Sequence, residues 1–279
     1  MSELIQMRQR MKAIETIKKV THAMRLISMS SHARLRSKRG LLEHYQSELI
    51  RMIKTIQATQ HDWHYPLQPN LDATRDLAIV IGSQKGLCGN FNNALIAFFA
   101  RSTEQNDPHN LDTIVIGKKA VDLLTKKQGS LLMEFKAFTI NTLAGIARKI
   151  TDYVLAEGNR YRSITIYYQY PKTFFAQRPS LYNLTQSVSD GSQQEQLEPY
   201  RWEHDPKELL DALVKKQIEI TFHETLLNSL IAEQSARFIA MDSSTRNAST
   251  MLDEMRINYN KLRQAKITRE LTDLVGSFF

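Results

Sequence analysis

Residues Leu227–Leu262, LNSLIAEQSARFIAMDSSTRNASTMLDEMRINYNKL, decide the fold. Apolar or small residues recur in it at alternating steps of four and three: Leu227, Ile231, Gln234, Phe238, Met241, Thr245, Ala248, Leu252, Met255, Tyr259 and Leu262. A mean step of 3.5 keeps one stripe facing one neighbouring helix, which is the pattern of a coiled coil. An ordinary globular helix of about 11–12 residues drifts away from so strict a repeat. The stretch sits inside a longer run, Lys207 to Val275, that holds no proline and no glycine. At 1.5 Å per residue that run predicts a rod roughly 100 Å long, too long for one small domain to bury.

The partner lies at the other end of the chain. Met1 to Tyr65 has no proline and Gly40 as its one glycine, and a row spaced by sevens runs through Met7, Ile14, Thr21, Ser28, Leu35, Leu42, Leu49 and Ile56. The expected companion row is Ile17, Met24, Ser31, Tyr45 and Met52, interrupted by Arg10 and Lys38. Two terminal helices that bracket a central segment pair most simply with each other, as an antiparallel coiled coil. The alternative is two separate amphipathic helices packed on the central segment, and their length argues against it.

Charge is distributed unevenly. Residues 1–60 carry twelve Lys and Arg against four Asp and Glu, whereas 61–206 balance at fifteen each and 207–279 at ten each, so the net +8 sits on the first helix. A basic helix suits a polyanion, an acidic protein surface or anionic lipid. No run of eighteen apolar residues exists, so no membrane span is expected, and Met1 to Lys12 lacks the apolar core of a secretory signal. A single cysteine, Cys88, rules out a disulfide framework and fits a reducing compartment.

Between the terminal helices the chain reads as alternating strands and helices. Asp76–Ile81 is a buried-type strand, followed by the turn Gly82-Ser83-Gln84-Lys85-Gly86-Leu87-Cys88-Gly89-Asn90 and a helix over 91–101. Further strands are expected at 111–116, 131–138, 163–170 and 174–184, with helices at 120–127 and 142–157, and a polar loop at 186–196. Pro206 marks the start of the last helix. The fold class is therefore α+β or α/β: a long antiparallel coiled coil of the terminal helices with a central Rossmann-like α/β domain. Its segments are 1–62, 63–205 and 206–279, the first and last pairing.

Nothing in the sequence frames a catalytic site. Gly82, Gly86 and Gly89 match neither G-x-G-x-x-G nor the phosphate-loop pattern, because no Lys-Ser or Lys-Thr follows, so close loop packing is the better reading. His61 and His64 are the one tight histidine pair and supply too few ligands for a metal. No nucleophile-elbow pattern is present. No catalytic residue, cofactor or metal is expected.

Two stretches carry a family resemblance. Glu233-Gln234-Ser235-Ala236-Arg237-Phe238-Ile239-Ala240-Met241-Asp242, running on to Ala248, and Asn258 to Leu271 resemble the C-terminal helix of the γ subunit of F-type ATP synthase. Ile17-Lys18-Lys19-Val20-Thr21-His22-Ala23-Met24 is similar to that family's N-terminal motif, Gly86-Leu87-Cys88-Gly89 to a turn in its central domain, and Tyr200 to Leu210 to its entry into the last helix. The chain departs from the family pattern at His22, Ser28-Met29, Ser31, Asn90 and Arg269, which bears on single contacts and not on architecture.

The resemblance implies a rotor without catalytic groups of its own, turning inside three α and three β subunits. It would stand on a membrane ring of c subunits beside an ε subunit, peripheral to the cytoplasmic face of a bacterial inner membrane. It implies β-subunit contacts at Met24, Arg237, Arg263, Gln264, Thr268 and Glu270, and a c-ring contact at Trp202, Glu203 and His204. An acidic β surface would be met by Arg8, Arg10, Lys12, Lys18 and Lys19. An apolar bearing would be formed by Ile267, Leu271, Leu274, Val275, Phe278 and Phe279, which fall around more than one side of the helix beyond Leu262. The resemblance also sets Met24 opposite Arg237. The rivals are a coiled coil that binds nucleic acid through its basic helix and, third, a nucleotide-binding enzyme; the rotor reading expects no nucleic-acid partner.

Overall fold

The computed structural model describes residues 2–58, 63, 65–104, 110–128, 131–185 and 205–276. The expected loop at 186–196, the c-ring residues Trp202, Glu203 and His204, and Phe278 and Phe279 lie outside the described residues. The chain divides into two compact units, Met1–Ser30 with Arg237–Phe279, and Ser31–Ala236. Two helices pass through both: α1, Ser2–Gln57, and α5, Pro206–Gly276, of 56 and 71 residues. Helix α1 ends at Gln57, inside the expected first segment 1–62. Helix α5 starts as the sequence suggests, with Pro206 in the first position and the Asp205 carboxylate accepting from the Lys207 amide at 2.9 Å.

The larger unit is built on a five-stranded sheet. Its strands are β1 (Arg75–Ile81), β2 (Leu111–Ile116), β3 (Met133–Phe135), β4 (Tyr161–Pro171) and β5 (Gln177–Asn183), in the order β3-β2-β1-β4-β5. All neighbours run parallel except β4 and β5. The helices between them are α2 (Phe91–Ser102), α3 (Lys118–Gln128) and α4 (Leu143–Glu157). Strand β1 is central and buried on both faces, which is why it reads as an unbroken apolar run instead of an alternating one.

The pleat sorts its residues into two cores. Leu77, Ile79 and Ile81, with Ile114, Ile116, Ile164 and Ile166, pack against Ile146 and Ile150 of α4 and against Ile53, Ile56, Val214 and Phe222 of α1 and α5. Ala78, Val80, Val115 and Tyr167 face the other way, onto Leu95, Ile96 and Phe99 of α2 and Val121 and Leu124 of α3. Gly117, with φ of +99°, lets the β2–α3 turn close on the β1 turn, where an added Cβ would stand 2.7 Å from the Gly82 and Ser83 carbonyl oxygens.

The smaller unit is an antiparallel pair of helices. The Lys18 ammonium donates to Ser249 Oγ at 2.9 Å, Thr245 Oγ1 to Thr21 Oγ1 at 2.9 Å, and Arg25 Nη1 to Asp242 Oδ1 at 2.6 Å. Numbers ascend on one helix as they descend on the other. Paired numbers add to 266 or 267, which sets Met24 level with residues 242–243 and corrects the expected pairing with Arg237.

Candidate partner interfaces

The sevenfold row of α1 is inward, as expected: Thr21, Ser28, Leu35, Leu49 and Ile56 are buried and Met7, Ile14 and Leu42 half-buried. The companion row is different. It runs through Met11, Lys18, Arg25, His32, Arg39, Gln46 and Ile53, four residues on from the first row; of the expected row Met24 and Ser31 are half-buried, whereas Ile17, Tyr45 and Met52 are exposed. Cationic side chains occupy an inward row because their stems pack while their charged ends find partners. Within the larger unit Arg39 donates to the Tyr170 hydroxyl at 3.1 Å and lies over its ring, 5.4 Å from the centroid. His32 meets the Phe174 ring edge-on at 4.7 Å.

In the smaller unit Asp242 is held by two guanidinium groups, Arg25 from α1 at 2.6 Å and Arg246 one turn along α5 at 2.8 Å. The hydrogen bond from Arg25, helped by the Arg246 charge, holds its carboxyl below the usual carboxylate range. Ser28, buried with 1 % exposure, donates to the Met24 carbonyl, and the single hydroxyl hydrogen of Thr245 is shared between Thr21 and the Met241 carbonyl, 2.7 Å away. The hydroxyls of the seam are thus satisfied by their own helix or by the opposite one.

The outer surface of this unit has three components. Arg8, Arg10, Lys12 and Lys19 are exposed, Lys19 pairing with Glu15 at 3.3 Å. Lys18, grouped with them in the sequence, is instead half-buried on Ser249. Second, large apolar side chains stand in solvent on both helices: Ile17, Val20, Leu26, Ile27 and Met29 on α1, with Ile27 at 64 %, and Ile267, Leu271, Leu274 and Val275 on α5, with Leu271 at 58 %. Third, Arg263, Gln264, Thr268 and Glu270 are exposed, Glu270 pairing with Lys266 at 3.4 Å. Met24 is half-buried, and Arg237 is buried at 5 % exposure. Of these exposed α1 residues only Ile17 was expected in an inward row; Val20, Leu26, Ile27 and Met29 belong to neither expected row.

The glycine-rich turn is packed on one side by the protein itself. In sheets of this strand order, ligands bind beyond the carboxyl ends of the strands where the order reverses, here between β1 and β4. At that place Ser229 of α5 donates to the Ile81 carbonyl at 3.1 Å, and Gln169 of β4 donates to the Phe91 carbonyl at 3.0 Å. Cys88 and Phe91 pack on Ala232 of α5. The Asn92 side chain accepts from the Ser83 amide and donates to its hydroxyl, at 3.0 and 2.7 Å. Helix α5 therefore packs against this turn on one side, while a cavity of about 280 Å³ lined by Gly86, Leu87, Gly89, Asn93, Lys119 and Asp122 stays open on the other. Among the described residues no cluster of three or more His, Cys, Asp or Glu could hold a metal ion, and no helix is long and apolar enough to cross a membrane.

A long antiparallel helix pair joined to this sheet matches a known architecture. A family model described as ATP synthase matches residues 3–278. The chain belongs to the ATP synthase γ-chain family. An ATP synthase γ chain of Clostridium perfringens is 29% identical over 273 residues, covering 98% of this chain and 96% of the relative. One from a Geobacter species is 28% identical over 285 residues, covering 99% and 98%. Among solved structures, a chain of the Euglena gracilis mitochondrial ATP synthase rotor superposes with a TM-score of 0.66 at 15% identity, covering 95% of this chain and 99% of its own. A chain of the Tetrahymena thermophila central stalk and c-ring superposes at 0.60 with 18% identity, covering 80% and 98%. A γ chain is a central-stalk rotor subunit and not an enzyme in its own right.

Proposed function

We propose that this chain couples ion flow through a membrane c-ring to the catalytic cycle of an ATP synthase. In this reading three α and three β subunits surround the smaller unit, and an ε subunit and the c-ring hold the chain at its other end. Trp202, Glu203 and His204 would contact the c-ring, and Trp202 supplies an aromatic anchor of the kind interfaces favour. The complex would lie at the cytoplasmic face of a bacterial inner membrane, with this chain peripheral to it.

One observation carries the reading: large apolar side chains stand on the outside of the smaller unit, on both of its helices. Scattered exposed apolar residues are ordinary, but a helix pair apolar on several sides has its stable state inside an enclosing partner. Contacts of this kind are non-directional, so they hold the shaft without opposing its turning. Arg263, Gln264, Thr268 and Glu270, all exposed, would supply directional contacts to β and Met24 an apolar one, whereas Arg237 is buried at 5 % exposure and would act from within the chain. Arg8, Arg10, Lys12 and Lys19 would face acidic β surface. The chain would act by contacting β conformers differently as it rotates, since only a differential interaction can shift a conformational equilibrium.

The test is affinity purification of the tagged chain from its native host. Co-purification of α and β subunits, with ATPase activity that the chain alone lacks, is the expected result. A chain recovered without them, or one that binds DNA or RNA with steep salt dependence, would overturn the proposal.

A further inference from the structure

The β4–β5 hairpin is fastened to α1 at two points one heptad apart, His32 and Arg39. Near the base of the hairpin the Arg39 guanidinium donates to the Tyr170 hydroxyl at 3.1 Å and lies 5.4 Å from the centre of that ring. At its tip the His32 and Phe174 rings meet at 89°, with centroids 4.7 Å apart. Phe174 in turn packs edge-on against Phe175, 5.0 Å away, and Phe175 stands 74 % exposed. Thr173 and Ala176 exchange backbone hydrogen bonds at 3.1 and 3.3 Å, so what His32 touches is a compact aromatic tip and not a long loop.

The two attachments differ in one respect. A guanidinium keeps its charge at every physiological pH, whereas an imidazole changes charge near pH 6.5. His32 is placed to be neutral, being 8 % exposed. Burial weighs most against its charged form, and Arg36, one turn along α1, adds a like charge. The hairpin brings no acid, only Lys172 and Arg178. The α5 residues level with His32, Gln234 and Ser235, are uncharged, and Glu233 beside them is not among the charges that act on it. A cation can gain from a ring face, but burial and Arg36 outweigh that gain here. We propose that the His32–Phe174 contact is a proton-released latch: acidification frees the aromatic tip of the hairpin from α1, while Arg39 keeps its base in place. The direction follows from linkage, since a group that is harder to protonate when attached loses its attachment as pH falls. The latch lies wholly in the larger unit and does not depend on what the chain couples.

Fluorine NMR on the purified full chain tests it, with 4-fluorophenylalanine placed singly at Phe174, Phe175 or Phe99 and a soluble nitroxide that broadens the rings water reaches. At about pH 7.5 the signal of residue 174 should be broadened far less than that of 175. At about pH 5.5 its broadening should rise at least about threefold, toward that of 175, with a midpoint below 6.5. Phe99, buried in the other core of the sheet, should not change. Helicity by circular dichroism should not change either, which separates release of the tip from unfolding. In His32→Gln the broadening at 174 should no longer vary with pH. In Arg36→Gln the midpoint should move up, because a like charge has gone. Broadening at 174 that is equal at both pH values, that changes as much in His32→Gln, or that rises only together with that at 99 overturns the proposal. If His32→Gln does not fold, an unmoved midpoint in Arg36→Gln overturns it.

Discussion

Thr245 donates its hydroxyl hydrogen to the Thr21 hydroxyl, 2.9 Å away across the seam of the two long helices. A coiled coil built only for stability would place Leu or Ile at these positions. Two threonines leave the helices close together and fasten them at one height.

That height is directly testable. Cysteines at 21 and 245 should form an intrachain disulfide on mild oxidation. Cysteines at 24 and 237 should not, because Met24 lies five or six residues from the level of Arg237, about 8 Å at 1.5 Å per residue, and a disulfide requires Cα atoms within about 7 Å. Gel mobility without reductant reads both. A 24/237 cross-link forming as fast as 21/245 would restore the alignment expected from family resemblance.

The basic residues of α1 should separate into two classes. Lys18→Gln removes a half-buried bond to Ser249 and should cost the isolated chain about 1 kcal/mol. Arg8→Gln, Arg10→Gln, Lys12→Gln and Lys19→Gln should each stay within about 0.5 kcal/mol in urea unfolding. In a reconstituted complex the four together should weaken assembly, and more so at raised ionic strength. Equal costs for all five in the isolated chain would erase the distinction.

What was legible in the sequence follows from what each pattern encodes. Buried parallel strands announce themselves as apolar runs, and β1 and β2 lie at or within one residue of their expected bounds. The inward row Lys18, Arg25, His32 and Arg39 was not legible, because hydropathy scores a lysine or arginine as outward whatever its end finds. Alignment was not legible either, since a sevenfold repeat is unchanged by a shift of seven. The packing against the glycine-rich turn depended on Ser229 and Ala232, more than a hundred residues away and small enough to read as filler.

Two histidines should make the larger unit acid-sensitive. His32, buried beside the Phe174 ring and near Arg36, has its pKa pushed below the ordinary 6.5 mainly by burial. Burial does the same for His223, opposed by Glu219 and aided by Lys216. A lowered histidine pKa means the unfolded chain takes up a proton that the folded chain refuses. Stability is therefore full above the ordinary value and falls as pH drops below 6.5. His32→Gln with His223→Gln should flatten the fall in unfolding midpoint between about pH 7 and pH 5. An unchanged slope would show that neither group is linked to unfolding there.

Phe222 on α5 is wholly buried in the core that α1, α4 and α5 share with the sheet. Phe222→Ala should cost about 3–5 kcal/mol through lost transfer energy and a residual cavity. Phe222→Leu, which leaves a smaller void, should cost less. Similar midpoints for both variants in thermal unfolding would mean that the site collapses around the missing ring.

The last prediction concerns the end of α5. Ile267, Leu271, Leu274 and Val275 are exposed, although each would stabilise the chain by about 1.5–3 kcal/mol if it were fully buried. Paired numbers that add to 266 or 267 set Ser2 opposite residues 264–265, so these four side chains lie beyond the described extent of α1. Substituting Leu271 and Leu274 with Gln should therefore leave the isolated chain's unfolding midpoint within about 0.5 kcal/mol, as at ordinary surface sites. In a reconstituted complex the same change should reduce assembly or the coupling of ATP hydrolysis to rotation, because it puts polar groups into an apolar enclosure where nothing rewards their desolvation. A cysteine at Leu271 should cross-link to an α or β subunit and stop rotation, whereas the 21/245 disulfide should not, since both helices turn together. Free rotation with residue 271 cross-linked would mean that this end turns with whatever it touches. A loss of stability in the isolated Leu271→Gln, Leu274→Gln chain would mean that these leucines are covered by the chain itself.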